Sequence, residues 1–265
     1  MKIIDVSESL CGNQHIYKDR LIKGLLEKNR EILLNGNTNN ALCYDGIVDE
    51  KVYSNQKFRL GFLLKEPNGN TSDGKAPDHY EDWDYVGWIR DNQSTGTEAI
   101  YPTFRNIAMW TSAFYDIFEC GETNKSKYLS NGTLQLTDEL RKSLRRIAVI
   151  NLKKTFGGGS TDWNDLDAYL NQDVCDILRE EICTAEPTVV LCGGQQVFDF
   201  VCRIHRSEKC PPLTVTTANG NTVEYIPAYN YIYVNFYHPA CRKSREKMFD
   251  YAAEVFNAIK KICTL

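Results

Sequence analysis

Short, almost continuously apolar runs recur along the chain and are separated by segments with helical periodicity. Continuous runs of this kind are typical of strands that are buried on both faces of a parallel sheet. Their alternation with helices predicts an α/β protein with three αβα layers and a central, mostly parallel, four-stranded sheet. The predicted strands are residues 59–64, 147–151, 188–193 and 231–236.

The segments between the strands predict helices, one hairpin and one long loop. An N-terminal amphipathic helix is expected within 15–34, and Thr137 is suited to cap a later helix. Alternating residues around Asn219-Gly220 predict a small hairpin with a type I′ turn. Residues 68–101 contain several aromatic side chains without a clear period and are predicted as a loop. Further helices are expected at 102–119, at 165–183, after Gly194 and after His238.

The length of 265 residues suits a single domain over 1–265, with 1–55 as an N-terminal helical extension and 57–255 as the core. No run approaches the roughly 20 apolar residues that span a bilayer, and the first residues do not resemble a secretory signal. We expect a cytoplasmic protein without membrane contact, and a monomer. The ten cysteines lack CxxC pairs, so we expect free thiols and no metal, iron–sulfur cluster or other cofactor.

The net charge of −4 argues against nucleic-acid binding through a global positive field, but it allows a local basic rim. Two basic clusters fit such a rim, and a solvated helix face is the alternative for each. They are Arg141, Lys142, Arg145 and Arg146, and Arg242, Lys243, Arg245 and Lys247. The G-x-S-x-G motif of α/β hydrolases is absent, and the glycines at 157–159 do not form a P-loop motif.

Polar residues follow three of the predicted strands, at the carboxyl ends where parallel sheets bind their ligands. Glu66, whose direction Pro67 restricts, is suited to orient a water, or it is an ordinary loop carboxylate. Asn151 offers one donor and one acceptor to the edge of a pyrimidine, or it only terminates a strand. His238 is suited to stabilise a developing oxyanion, or it is a structural histidine.

Four motifs, LLKEPNG, VINLKK, VVLCGG and FYHPACR, occur in this order over residues 57–255 and resemble those of the uracil-DNA glycosylase superfamily. The resemblance implies that Glu66 positions the hydrolytic water, that Asn151 reads the base edge and that His238 stabilises negative charge on the departing base. It implies cleavage of an N-glycosidic bond after a damaged or modified base has been turned out of single- or double-stranded DNA. Pro67 is expected beside the base.

An aromatic side chain should stack on the base. Phe104 is our first choice, Tyr101 and Phe156 are alternatives, and a core position for Phe104 is equally open. Contacts with nucleic acid are expected from basic residues near the motifs, namely Lys65, Lys154, Arg242, Lys243 and Arg245. The alternative function is a non-catalytic protein of the same fold that binds nucleic acid, a nucleotide or a modified base, or that serves as a partner-binding module.

Overall fold

The structure is a computed structural model, and it describes residues 18–35, 41–67, 81–96, 100–157, 161–205 and 211–263. The strands are β1 (Cys43–Tyr44), β2 (Gly46–Ile47), β3 (Leu60–Leu64), β4 (Trp83–Asp84), β5 (Leu129–Ser130), β6 (Thr133–Leu134), β7 (Ile147–Asn151), β8 (Val189–Gly193), β9 (Leu213–Thr216), β10 (Thr222–Ala228) and β11 (Tyr231–Phe236). The helices are α1 (Lys18–Lys28), α2 (Arg30–Leu33), α3 (Glu50–Ser54), α4 (Tyr85–Trp88), α5 (Pro102–Tyr115), α6 (Asp138–Lys142), α7 (Trp163–Tyr169), α8 (Gln172–Ala185), α9 (Gln195–Asp199), α10 (Val201–Ile204) and α11 (Arg245–Cys263). Turns of π-helix lie at Ile89–Gln93 and Asp116–Cys120, and turns of 3₁₀-helix lie at Lys125–Lys127 and Ser143–Arg146.

A seven-stranded sheet in the order β2-β7-β3-β8-β11-β10-β9 forms the centre of the described part of the chain. Its middle strands, β7, β3, β8 and β11, run parallel to one another. At one edge β2 is antiparallel to β7, and at the other edge β10 and β9 continue the sheet in antiparallel pairing. The predicted α/β class is confirmed, whereas the sheet is mixed and larger than the four strands that were predicted.

The three additional strands lack the continuous apolar run that predicted the central four, for different reasons. β2 has two residues, which is too short to show any period. β9 and β10 are the predicted hairpin, which joins the main sheet through β11. The turn is not of type I′, because that turn needs a positive φ at two residues and here Gly220 has a φ of +83° while Asn219 has no positive φ.

Helices cover both faces of the sheet. α5 and α11 pack together on one face, and α1 and α8 pack together on the other. Residues of β3 alternate between the two cores, with Phe62 and Leu64 in the first and Leu63 in the second. This alternation follows from the strand period of two and explains why the whole run is apolar.

Several predicted helices are present with different bounds. α6 begins as expected, since the Thr137 hydroxyl accepts a hydrogen bond from the Leu140 N–H at 3.1 Å. The helix predicted for 165–183 is divided, because α7 ends at Tyr169 and Asn171 caps the start of α8. The predicted loop contains β4 and α4 within its described residues.

The predicted N-terminal helix is present as α1 followed by α2, and residues 15–17 lie outside the described ranges. None of the helices that the structure describes is long and apolar enough to cross a membrane. The described cysteines are free thiols, with Cys43, Cys175 and Cys192 buried.

Candidate functional site

The segments that follow β3 and β7 run side by side beyond the carboxyl edge of the sheet. Leu64 and Asn151 are register partners at the two strand ends. Further along, the Gly157 N–H donates to the Pro67 carbonyl oxygen at 3.0 Å. This pairing brings Glu66 and Asn151 to the same edge of the sheet, with Pro67 buried beneath it.

The half-buried Glu66 carboxyl group is held from two sides. The Thr161 hydroxyl donates to Glu66 Oε1 at 2.9 Å. Gly157 lies so close that a Cβ atom at this position would be 2.0 Å from Glu66 Cδ. Gly157, which the sequence placed in a loop of glycines, is therefore required for the position of the carboxyl group.

The His238 side chain is held in its neutral form. The Ala240 N–H donates to His238 Nδ1 at 3.1 Å, which leaves the proton of the neutral ring on Nε2. Burial, together with the positive charge of Lys65, lowers the pKa of His238 to about 4. At neutral pH the ring is therefore an uncharged hydrogen-bond donor through Nε2.

His238 lies close to the end of β3. A Cβ atom at Gly193, the last residue of β8, would be 2.9 Å from Leu64 Cδ2 and 3.5 Å from His238 Cδ2. From α5, Asn106 Nδ2 donates to the Pro239 carbonyl oxygen at 2.6 Å and fixes the loop after β11. The loop with His238 thus lies at the same edge of the sheet as the ends of β3 and β7.

The Asn151 side chain is buried, and its amide is bonded at the nitrogen. Asp45 Oδ2 accepts hydrogen bonds from the Asn151 peptide N–H at 2.6 Å and from Asn151 Nδ2 at 2.9 Å. Within the described residues, no donor bonds Asn151 Oδ1. Buried acceptors without a donor are uncommon in folded proteins, so this oxygen is an unusual feature of the site.

Lys154 is not part of a nucleic-acid surface, and the prediction for this residue is wrong. Its side chain is fully buried, and its Nζ lies 2.6 Å from both Asp45 Oδ1 and Glu181 Oε2. Burial lowers the pKa of Lys154, but the charges of Asp45 and Glu181 outweigh this effect and leave the pKa raised. Lys154 is a structural cation beneath the site.

One ammonium group faces two buried carboxyl groups in this network. Asp45 accepts hydrogen bonds from Lys154 and from two nitrogens of Asn151. Glu181 faces Lys154 and, on its other side, the carboxyl group of Asp45. Burial raises the pKa of Glu181 well above its ordinary value, and Lys154 offsets only part of that effect. Asp45 and Lys154 therefore form the ion pair, and burial favours the protonated form of Glu181.

Phe104 is not placed to stack on a ligand, which corrects our first choice of aromatic residue. It is 4% exposed and packs in the core with its ring centroid 5.6 Å from that of Trp88. Of the alternatives, Phe156 is half-buried and stacks on Trp83 with centroids 5.4 Å apart, and Tyr101 is 41% exposed at the start of α5. Phe156 directly precedes the glycine that contacts Glu66, so of these three aromatic residues it is the one next to the site in sequence.

The other predicted basic residues remain at the carboxyl edge, namely Lys65, Arg242, Lys243 and Arg245. Arg242 and Lys243 are exposed, and Lys243 Nζ donates to the Tyr237 hydroxyl at 2.7 Å. The other basic cluster, at 141–146, precedes β7 and therefore lies at the amino edge of the parallel strands. It lines a separate surface cavity of about 330 Å³.

The sequence interpretation did not identify Asp45 and Glu181, which form the buried network with Lys154, or Trp83, on which Phe156 stacks. Asp45 interrupts the apolar stretch ALCYDGIV, and an acidic residue in such a stretch indicates a buried, paired carboxylate. Glu181 gives a similar signal, because it lies on the buried face of α8 beside Ile182 and Leu178. Trp83 lies in an aperiodic stretch that carries no comparable signal.

Within the described ranges, no three His, Cys, Asp or Glu side chains are grouped so as to hold a metal ion. The two acidic residues of the buried network both face Lys154.

Comparisons of the chain with protein-family models, with curated proteins and with solved structures found no match.

Proposed function

We propose that this chain is a DNA base N-glycosylase that removes uracil or another modified base from a flipped-out nucleotide. One observation carries the proposal: Glu66 and the uncharged His238 reach the same edge of the sheet as Asn151, whose Oδ1 has no donor among the residues that the structure describes. The four central parallel strands each end in one of the four motifs, which supports the resemblance to the uracil-DNA glycosylase superfamily.

In the proposed reaction the bond between the base and the sugar carbon breaks, and its electron pair leaves with the base. His238 Nε2–H donates a hydrogen bond to the base carbonyl oxygen on which the negative charge collects. An uncharged imidazole is suited to this task, because it stabilises the anion without giving up its proton. The departing base then takes a proton from solvent.

Glu66 acts on the water in this scheme. The Thr161 hydroxyl holds one carboxylate oxygen, which orients the other toward a water beside the sugar carbon. As the water oxygen bonds to that carbon, the carboxylate accepts one of its protons. The products are the free base and an abasic sugar, and the proton on Glu66 returns to solvent.

DNA binding by an acidic protein requires a local basic surface. Arg242 and Lys243 supply one in the loop that follows His238. Because phosphate contacts release counterions, we expect DNA affinity to fall as salt rises, with a shallow slope that reflects few contacts.

Oligonucleotides that carry uracil, hydroxymethyluracil or hypoxanthine test the proposal. The expected result is alkali-labile abasic sites, which Glu66→Gln and His238→Ala abolish while the fold is retained. Arg242→Ala should weaken DNA binding, and Lys142→Ala at the opposite edge of the sheet is its matched control. Intact protein that cleaves none of these substrates contradicts the proposal.

A second candidate is a protein that binds a modified base or nucleic acid without cleaving it. The observation that favours it is the hydrogen bond from Thr161, which occupies one oxygen of the proposed catalytic carboxylate. Binding of the modified oligonucleotides without abasic products supports this candidate.

A further inference from the structure

We propose that the groove between α1 and α8 is the surface through which two copies of this chain form a symmetric dimer. The groove is a surface cavity of about 570 Å³ that lies outside the candidate site. Its apolar floor consists of Leu21, Leu25, Ile32 and Ile177. The inference does not depend on the proposed function, and the monomer expected from the sequence is its alternative.

Two side chains of the floor are exposed in the single chain although they are large and apolar. Leu21 is 50% exposed, and Ile32 is 38% exposed. Among the described residues, the other exposed large apolar side chains lie singly on different elements, at Tyr101, Leu213 and Tyr229. Two such side chains in one groove indicate a surface that a partner covers.

Gly24, which follows Leu21 by one turn of α1, also lines the groove. A Cβ atom at this position would meet no atom within 4 Å. Glycine weakens a helix relative to alanine, and packing within the described part of the chain gives no reason for it here. In a dimer, the missing side chain allows the helix of the second copy to approach closely.

The two walls of the groove carry opposite charges. The α1 wall presents Arg20 and Lys28, and the α8 wall presents Asp173, Asp176 and Glu180. A groove with one basic and one acidic wall is complementary to itself, because a second copy can place its basic wall on the acidic wall of the first. This complementarity identifies a second copy of the chain as the occupant.

The two helices run antiparallel, which determines the residues that share each end of the groove. Lys18 at the start of α1 forms an ion pair with Glu186, which directly follows α8. At the opposite end, the Tyr169 hydroxyl, which precedes α8, donates to the Leu33 carbonyl oxygen in α2 at 3.0 Å. The last turn of α1 and the first turn of α8 therefore lie at the same end.

A two-fold axis along the groove is the arrangement that pairs opposite charges. Rotation about this axis exchanges the two sides of the groove and keeps each residue at its height along it. Lys28 of one copy then meets Asp173 of the other, and Arg20 meets Glu180. An axis across the groove would place basic wall on basic wall and acidic wall on acidic wall, which costs energy.

The same axis places both candidate sites at one end of the dimer. α8 leads from the carboxyl edge, where β7 ends, to the start of β8, so it runs antiparallel to the central strands. Because the groove follows α8, a two-fold axis along it leaves both carboxyl edges facing the same way. The dimer therefore presents two copies of the loop after His238 on one side.

Sedimentation velocity of the full chain, from micromolar to millimolar concentration and with a thiol reductant present, tests the inference. The expected result is a monomer that becomes a dimer as the concentration rises. Leu21→Asp should raise the dissociation constant of the dimer at least about thirtyfold, the size of an interface hot spot. Leu213→Asp changes a similarly exposed leucine in β9, at the other edge of the sheet, and should leave the constant unchanged.

Charge reversal tests the axis and also covers the case in which Leu21→Asp does not fold. Lys28→Glu and Asp173→Lys should each weaken the dimer, and the double variant should restore it, because the pair forms again in reverse. Lys51→Glu, at an exposed position of α3, controls for the change in net charge. A chain that is monomeric at every concentration, a dimer that Leu21→Asp leaves unchanged, or a double variant as weak as the single ones would each overturn the inference.

Discussion

Gly157 and Glu66 are in such close contact that a single added methyl group at position 157 would fall 2.0 Å from the carboxyl carbon. The two residues belong to segments that follow different strands, β3 and β7. These segments remain paired beyond the sheet, and the hydrogen bond from the Gly157 N–H to the Pro67 carbonyl oxygen holds the two residues in contact. The position of the carboxylate therefore depends on a residue that carries no chemistry of its own.

Gly157→Ala should displace the Glu66 carboxylate and reduce the proposed glycosylase activity. A catalytic group moved by about 1 Å loses on the order of a hundredfold in rate, so we expect a fall in kcat of that size. Single-turnover kinetics on a uracil oligonucleotide measure it. Gly24→Ala, in α1 and with no atom within 4 Å of the added Cβ, is the control and should leave kcat unchanged.

The ring of His238 should remain uncharged down to strongly acidic pH. Because its pKa is lowered to about 4, the NMR titration of its ring protons should have a midpoint there and not near the ordinary value of about 6.5. Lys65→Met removes the neighbouring charge and should raise the midpoint, with burial keeping it below the ordinary value. Loss of the signal in His238→Gln assigns it, and a midpoint near 6.5 in the unaltered protein would contradict the neutral-donor role.

Glu181→Gln should change how stability depends on pH. The pKa of Glu181 is higher in the folded than in the unfolded chain, so its contribution is fully present below the unfolded pKa and is lost as pH rises toward the folded pKa. Above about pH 4.3, the free energy of unfolding of the variant should therefore rise relative to that of the unaltered protein, by up to about 1.4 kcal/mol per pH unit. Urea unfolding at several pH values measures this difference. Glu180→Gln, on the exposed face of α8, should show no such slope.

Lys154→Met should lower the free energy of unfolding without a specific effect on DNA affinity. Removing one partner of a buried ion pair costs about 3–5 kcal/mol, because the remaining charge stays buried. Urea unfolding measures this loss, and DNA titration at a temperature where the variant is folded measures affinity. If the variant keeps its stability but binds DNA more weakly, Lys154 contacts DNA and its assignment as a structural cation is wrong.

Phe104→Ala should mainly lower stability, whereas Phe156→Ala should mainly raise KM. Phe104 is a core residue, so its truncation should cost about 3–5 kcal/mol of unfolding free energy. Phe156 is half-buried beside the site, so its truncation should raise KM for uracil DNA and cost less stability. If Phe156→Ala leaves KM unchanged while Tyr101→Ala raises it, Tyr101 is the stacking residue.

The strands at the centre of the fold were predictable because helices cover both faces of the sheet, so that side chains on both sides of each strand are apolar. Leu60 to Leu64 is apolar at every position, which few structures other than a doubly covered strand require. β2 was not predictable, since two residues have no period and its pairing with β7 is decided by tertiary contacts. The division between α7 and α8 depends on Asn171, whose cap competes with a helical pattern that continues through it.

The residues of the candidate site that lie at strand ends could be predicted from the sequence. The buried network beneath them could not, because its members are far apart in sequence. Glu66, Asn151 and His238 follow strands, so topology alone brought them to one edge. Lys154 was assigned to the surface because lysines are rarely buried without partners. Its partner Asp45 lies 109 residues away in sequence, and no local pattern connects the two.

The short strand β2 has a consequence for how the molecule assembles. Gly46 pairs with Val149, so the segment expected to be an appendage to the core closes a long loop and carries Asp45 into place. Contacts of such high sequence separation form late and slowly, because chain entropy is lost before they are made. The hydrogen-bonded Asn151 amide is then among the last features of the native state to form. A chain shortened to residues 57–255 would lack Asp45 and both of its hydrogen bonds to Asn151.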